Sequence, residues 1–503
     1  MDQVVDVVVI GGGINGCGCA ADAALRGLSV LLCEKDDLAS KTSSHSSKLI
    51  HGGLRYLEHF DLPLVKKALD ERQRLLMLAP HLVHPLPFVL PYYPGGRSRW
   101  MLAAGLFLYD HLSFKNKLPK HKSLLRTQDA RYFSPLRDTL NQGFLFYDCK
   151  TDDARLVLAN ALQAKAHGAR IMTNTALIQA TPVGAQWQLT LQPKDAPSFT
   201  IQARSVINAA GPWVEPVSSL LNIPPHTNIT LVQGSHLVLP KLYDGEHAYL
   251  LQDEAARIVF TIPYNNQTLV GTTETLFQGN PDEVRIQPAE MNYLCAVVNR
   301  YFNKALSPSD VIGTSSGIRT LVSSSGKNPT ALSRDYAYHF STHPAPAITI
   351  FSGKLTTYRE LAESAINTLR PVFPHLSLSK TRTTPLPGAR FNQMTHSAFE
   401  AYFRAEYPWL DAETTTRYLA TYGTRASMIV AKCLCLSDLG QAFGQTFYQA
   451  EVDYLVRHEW AKNADDIIWR RTKLGLTLDK TSIMALENYL NPTLLHSIAD
   501  EYH

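Results

Sequence analysis

Residues 4–25 read VVDVVVIGGGINGCGCAADAAL. Val4 to Ile10 is β-branched and almost continuously apolar, the pattern of a strand buried on both faces. It runs directly into Gly11, Gly13 and Gly16, spaced GxGxxG. In that spacing the first glycine makes the tight turn. The second lets a pyrophosphate approach bare backbone, and the third lets the following helix lie close on the strand. The helix is expected to run through small residues and to end at Gly27. A second strand, LSVLLCE, then carries Glu34, about 20 residues past the glycines, where a carboxylate can accept from ribose hydroxyls. Strand, turn, helix, strand and acid in that order predict a Rossmann-like dinucleotide site with an α/β core.

Bulk properties bound the rest. A chain of 503 residues exceeds one core, so two or three domains are expected. It is 45% hydrophobic and 18% charged, ordinary for a globular protein. The net charge of +4 argues against nucleic-acid binding driven by bulk charge. The seven cysteines show no zinc-finger spacing and read as reduced thiols of a cytosolic protein. No signal peptide and no metal-ligand pattern is visible. The longest apolar run, Trp100 to Tyr109, is half the roughly 20 residues a spanning helix needs.

Residues 40–65 read SKTSSHSSKLIHGGLRYLEHFDLPLV. The stretch is dense in hydroxyls (Ser40, Thr42, Ser43, Ser44, Ser46 and Ser47), followed by Lys48, His51 and the glycines Gly52 and Gly53, and the hydroxyls and glycine backbone can hydrogen-bond a pyrophosphate and a flavin edge. Further on, NAAGPWV follows a strand and offers a small-residue turn at Ala210 and Gly211. In FSGKLTTYRELAESAINTL, apolar residues recur at helical spacing from Tyr358. Gly353, Lys354, Leu355 and Thr356 therefore sit before a helix N-terminus, which favours negative charge.

The chain resembles the FAD-dependent, aerobic, quinone-linked glycerol-3-phosphate dehydrogenases, within the D-amino-acid-oxidase-like flavoproteins. The resemblance rests on VVIGGGINGCGCAADAALRGLSVLL, TSSHSSKLIHGGLRYLEH, TDDARLVLANA, INAAGPWV, VQGSHLVLP, GTTET, SGIRTL, SGKLTTYRELAE and RHEWAKNADDIIWRRTKLGL, in order from residue 4 to about 476. Ser352 stands where that family shows a glycine. The resemblance implies non-covalent FAD, oxidation of sn-glycerol 3-phosphate to dihydroxyacetone phosphate, and electron transfer to a membrane quinone. It also implies work at the cytoplasmic face of the cell membrane as a peripheral protein. A homodimer is among the assemblies open to it. The cofactor-binding positions expected are Gly11, Gly13, Ile14, Asn15, Gly16, Glu34, Thr42, Ser43, Ser44, Ser47, Lys48, Leu49, His51, Gly52, Ala210, Gly211, Gly353, Lys354, Leu355 and Thr356.

That chemistry needs a phosphate clamp and a base. Arginine suits the clamp because its planar fork matches phosphate oxygens in pairs. Arg319, Arg55 and Arg334 are the candidates, with Tyr56, Thr272 and Thr273 as hydroxyl donors. His51, in the flavin-proximal loop, is favoured as the base, with His236 as the other candidate. Lys354 would add positive charge beside the flavin's pyrimidine side.

The segment 95–122, GGRSRWMLAAGLFLYDHLSFKNKLPKHK, has cationic flanks and aromatic edges that suit an interfacial segment on anionic lipid. The expected division is a discontinuous FAD-binding domain (1–74, 148–214, 313–380), a mixed-sheet substrate or capping domain (75–147, 215–312) and a helical C-terminal domain (388–503). Charged residues from His458 to Arg471 read as intrahelical pairs and domain contacts. Two alternatives are an oxidase that returns electrons to oxygen and a flavin-containing RNA-binding protein. The small net charge counts against the second.

Overall fold

The computed structural model describes residues 4–54, 57, 61–93, 97–113, 116–255, 257–322, 335–391 and 394–491. Two large sheets organise it. In the first, the strands Arg170–Met172, Val30–Cys33, Val4–Ile10, Phe199–Asn208 and Ala347–Ser352 run parallel side by side, and Ala337–Ser341 closes the edge antiparallel. The register pairs Ile10 with Cys33 and Asn208, so the three strand ends line up at the glycine turn. Asp6 interrupts the valines at low cost. Its carboxylate accepts from Ser29 and pairs with Arg204.

The helix Ile14–Leu25 explains its own small residues. It is buried along nearly its whole length, beneath the helices Asp153–Ala166 and Tyr358–Asn367. A Cβ on Gly18 would come within 2.8 Å of the Tyr358 ring. Asp22 and Arg26, both buried, pair one turn apart. None of the seven cysteines forms a disulfide.

The second sheet is largely antiparallel and ten-stranded, and it packs its own aromatic core of Tyr132, Phe133, Tyr249, Tyr301 and Phe302. The strand Gly313–Val322, expected with the nucleotide-binding unit, instead hydrogen-bonds along the whole of Ile229–Val238 in this sheet. Leu49–Ile50 and Gln142–Thr151 also pair here. Chain segments therefore leave the first sheet, add a strand to the second and return, which carries residues of both to one seam.

The C-terminal helices His396–Glu406, Ala412–Tyr422, Ala426–Val430, Gln449–Glu459 and Lys480–Tyr489 build a separate apolar core around Phe403, Tyr418, Leu419, Val452 and Leu455. Thr395, Asp411 and Asp479 cap three of them by accepting backbone N–H groups.

The helix Arg99–His111 begins at Ser98, which accepts from Met101 N–H. Its inner face buries Leu106 and Tyr109, while Trp100 (88% exposed), Met101, Phe107 (60%) and Leu108 face outward. Tyr109 Oη accepts from Gly52 N–H (2.8 Å) and donates to Asp148, which Arg72 also holds. All of these groups are buried, so losing one partner is costly. Tyr109→Phe is expected to lower unfolding free energy by about 1–2 kcal/mol in denaturant titrations. A change within ~0.5 kcal/mol would show that the hydroxyl is not part of the support.

Candidate functional site

A cavity of about 460 Å³ opens along the seam between the two sheets. At one end is the glycine turn. Gly11 has φ +111°, and a Cβ there would lie 2.6 Å from Ala209 O. A Cβ on Gly16 would lie 1.9 Å from Gly11 O, so this residue serves the strand–helix contact and lies off the cavity wall. Gly13 faces the cavity with only Ser43 Oγ near its missing side chain. Ser43 Oγ accepts from Ile14 N–H (3.0 Å) at the first turn of the helix.

Glu34 reaches the cavity but is spent partly on the protein. It accepts from Gly12 N–H (2.6 Å) and Asp36 N–H (2.9 Å), and burial raises its carboxyl above the usual range. A carboxylate oxygen has a second lone pair, so acceptance from a ribose remains open. Beyond it, Lys35 and Lys41 stand over the Trp213 ring, and all three line the cavity. The turn at Ala210 and Gly211 completes this end; Gly211 has φ +56°.

The serine-rich loop divides its hydroxyls. Thr42 donates to Ile318 O (2.6 Å), Ser44 to Lys41 O, and Ser46 to Asp153 (2.7 Å). Ser47 Oγ is 2.9 Å from His236 Nε2, and His45 Nδ1 is 2.7 Å from Ser315 Oγ. Thr42, Ser43, Ser47 and Leu49 lie on the wall. Ser44 and Lys48 do not. Lys48 Nζ turns inward to both oxygens of Asp153 (2.9 Å), because an ammonium left without a counter-ion there would be costly. Gly52 is also off the wall, its N–H taken by Tyr109.

At the other end, His51 and Lys354 meet. Lys354 Nζ donates to His51 O (2.9 Å), and Thr356 Oγ1 accepts from His51 N–H (3.2 Å). The His51 ring stands edge-on to Phe260. Gly353 fits against Asn15, whose amide would lie 2.6 Å from an added Cβ. Ser352 ends its strand by donating to Asp335 O (2.8 Å), and the turn after it lines the cavity.

Opposite, Thr272 Oγ1 and Arg319 Nη2 converge above Gly234. A Cβ on Gly234 would be 2.7 Å from the first and 2.8 Å from the second. His236 sits beside them in space left by Gly271. Its imidazole is pushed down to about 3, chiefly by burial and then by Lys48 and Arg319. His45 is lowered to about 4, by burial and then Lys48. Thr273, expected beside Thr272, points away. Its hydroxyl donates to Glu290 (2.6 Å) in a buried network under the sheet. Arg55, Tyr56 and Arg334 lie outside the described residues.

Among known proteins, a family model described as FAD dependent oxidoreductase matches residues 6–359, and one for the C-terminal domain of alpha-glycerophosphate oxidase matches 379–491. A glycerol-3-phosphate dehydrogenase of Pseudomonas aeruginosa is 47% identical over 492 residues, 97% of this chain and 95% of that one. The chain belongs to the FAD-dependent glycerol-3-phosphate dehydrogenase family. The aerobic glycerol-3-phosphate dehydrogenase of Escherichia coli is 43% identical (95% of each chain). A D-erythritol 1-phosphate dehydrogenase of Brucella abortus is 42% identical (97% of this chain, 98% of that one). The solved glycerol-3-phosphate dehydrogenase of Bacillus halodurans, complexed with FAD, shares the fold at TM-score 0.77 and 24% identity, covering 100% of this chain and 96% of that one.

The cofactor of this family fits the wall. Gly13 leaves open backbone at a helix N-terminus, where a diphosphate is favoured. Three buried polar atoms on cavity-lining residues, Asn15 Oδ1, Ser40 Oγ and His236 Nδ1, have no partner among the described residues, as a wall that takes a polar ligand would show. Sequence reasoning missed Gly234, Trp213, Lys35, Lys41 and His45. All but Lys35 stand inside stretches already singled out, and the signal for Gly234 was a glycine within a strand, which marks close approach.

The depressed imidazoles have a stability consequence. His45, His81 and His236 are held neutral in the fold, at about 4, 3 and 3. Below the ordinary value of about 6.5, the unfolded chain binds protons that the fold refuses. Their contribution is therefore full above that value and lost as pH falls toward 4, by up to about 1.4 kcal/mol per pH unit for each ring. His236→Gln is expected to flatten the fall in denaturation midpoint between pH 7 and 4.5. Parallel wild-type and variant curves would contradict this placement.

Proposed function

We propose that the enzyme oxidises sn-glycerol 3-phosphate to dihydroxyacetone phosphate and passes the electrons to a quinone at a membrane surface. The observation that carries the reading is the convergence of Thr272 and Arg319 over Gly234, at the end of the cavity where His51 and Lys354 stand. Bound FAD supplies the acceptor for a hydride from the carbinol carbon. Arg319 and Thr272 hold the phosphate, which fixes the distance to the reacting carbon. His51 accepts the hydroxyl proton. His236, pushed down to about 3, is the weaker acceptor and orients the Ser47 side of the wall. Lys354 ties the His51 backbone to the start of the helix Tyr358–Asn367 and keeps positive charge at that end. On this reading the first sheet carries the adenosine and diphosphate. The second, with Gly313–Val322 and Leu49–Ile50, covers the ring and holds the substrate.

The acceptor assignment rests on the helix Arg99–His111. Its outward Trp100, Met101, Phe107 and Leu108 form one apolar face, and Arg97, Arg99, Lys117, Lys120 and Lys122 flank it. Among the described residues no helix is long and apolar enough to cross a membrane. A short amphipathic helix with cationic flanks suits the lipid interface. Behind it, one apolar cluster runs from Leu106 and Tyr109 to Phe88 and Phe146, which line the cavity. A lipid-soluble acceptor would thus meet apolar side chains between the surface helix and the site.

Adding glycerol 3-phosphate without oxygen to the FAD-loaded enzyme is expected to bleach the flavin absorbance. A quinone analogue should restore it faster than air does. Faster bleaching by D-erythritol 1-phosphate would move the substrate assignment to the longer alcohol, and faster recovery in air would make the enzyme an oxidase. Arg319→Ala should lower kcat/KM by about 10- to 100-fold, the worth of a charged hydrogen bond. His51→Ala should lower turnover by about two to four orders of magnitude with FAD retained. Near-normal turnover in that variant removes His51 as the base.

Replacing Lys117, Lys120 and Lys122 with Gln should release the protein from anionic vesicles at moderate salt, at about 1 kcal/mol of attraction per lysine lost. Unchanged cosedimentation places the docking surface elsewhere.

A further inference from the structure

The charged run at the C-terminal end does not close on itself. Residues Asp466–Arg471 form a π-helical turn, and its two consecutive arginines reach the same carboxylate, Asp37, just before the serine-rich loop. Arg470 Nε donates to Asp37 Oδ2 (2.6 Å), and Arg471 donates to both Asp37 oxygens, with Nη2 to Oδ1 at 2.8 Å. Arg471 is fully buried, and the other side of its guanidinium donates to Glu459 O. Two residues on, Lys473 places its ammonium 3.6 Å from Asp153 and 3.7 Å from Asp152. Asp153 is the residue that holds Ser46 and Lys48. One stretch of the C-terminal unit therefore grips both ends of the loop 37–48.

What lies between the grips lines the cavity and touches the glycine turn. Ala39 N–H donates to Gly12 O (3.1 Å), and the Leu38 side chain packs where a Cβ on Gly12 would be. Ser43 caps Ile14, and Ser47 meets His236. Apart from the single turn Thr42–Ser44, the loop has no regular structure of its own to hold this course.

Backbone geometry marks the same junction independently. Among the described residues, eight non-glycine residues have positive φ, and four are asparagines, which tolerate it. The other four are Ala39, Lys48, Trp460 and Lys473, with φ between 56° and 60°. Lys48 and Lys473 stand at the Asp153 grip, Ala39 two residues past Asp37 at the contact with Gly12, and Trp460 beside Glu459. Such backbone persists where surrounding contacts over-determine it.

We propose that the C-terminal unit is a clasp for the cofactor: Arg470, Arg471 and Lys473 are positioning residues that hold the loop 37–48 against FAD and set how slowly FAD is released. None of the three lines the cavity. The proposal goes beyond the oxidation reaction and rests only on FAD being the cofactor.

The test uses the FAD-loaded full chain. Release of FAD is followed by the rise in flavin fluorescence on dilution, and loop mobility by hydrogen exchange of peptides covering 37–48. Lys473→Met and Asp37→Asn should each speed release by about ten-fold or more and speed exchange in the loop. Lys473→Arg, which keeps the charge, should stay near wild type. Exchange in the helices His396–Glu406 and Ala412–Tyr422 should not change. If Asp37→Asn does not fold, Lys473→Met decides alone, because Lys48 still pairs Asp153 in that variant. Wild-type release from folded Lys473→Met overturns the clasp. So does faster exchange spread equally through the C-terminal helices, which is general destabilisation. A wild-type protein that never retains FAD overturns the cofactor assignment and the clasp with it.

Discussion

The cofactor end of this enzyme depends on main chain meeting main chain with no side chain between. Gly16 sits so close to Gly11 O, and Gly11 so close to Ala209 O, that a single methyl at either would push apart the strand, the helix and the turn after Phe199–Asn208. The helix Ile14–Leu25 is built almost wholly of small residues for the same reason. It must lie flat on the parallel strands while two other helices lie on it. That closeness fixes the helix N-terminus at the ends of three strands, where backbone donors and the helix dipole favour a diphosphate. The affinity for the cofactor and the packing of the core are therefore one requirement, and neither can be relaxed without the other.

Legibility in the sequence follows the range of the interactions involved. The nucleotide half was readable because its determinants are local: apolar runs, glycine spacing and an acid at a set distance. The second sheet was harder. Gly313–Val322 pairs with Ile229–Val238 some eighty residues away, and nothing within the strand says which sheet will take it. The serine-rich loop shows the limit more sharply. Its composition suggests ligand donors, yet Thr42, Ser44 and Ser46 spend their hydroxyls on Ile318 O, Lys41 O and Asp153. Lys48 looks like a phosphate ligand until Asp153, 105 positions on, appears beside it. Thr272 and Thr273 lie just past the strand Gln267–Gly271, where no regular period says which hydroxyl faces the cavity; the first lies beside Gly234 and the second donates to Glu290.

The electrostatics of the wall favour anionic partners and neutral imidazoles together. Arg319 and Lys354 face the cavity while Lys48 lies just behind it, and His45 and His236 are close enough to feel Lys48. Protonating either ring would add charge beside existing cations in a region with little water. Burial chiefly, and after it the same positive field that welcomes a phosphate, keeps these rings uncharged. His51 stands apart from that group, among Phe260, Thr356 and the Lys354 contact, which suits it to a different task from His236.

The junction with the C-terminal unit is made of buried ion pairs where an apolar seam would hold as firmly. Buried pairs contribute little net stability against well-packed hydrophobic residues, because desolvation offsets their attraction. What they supply is direction. A guanidinium fork accepts a carboxylate in few orientations, so Arg470 and Arg471 together fix where Asp37 stands, and Asp37 lies two residues from the contact with Gly12. Apolar contacts would let the loop slide along the seam, whereas charges that lose their partners cannot. A loop with so little regular structure, set against a turn with no room to spare, needs its position fixed more than it needs to be stabilised.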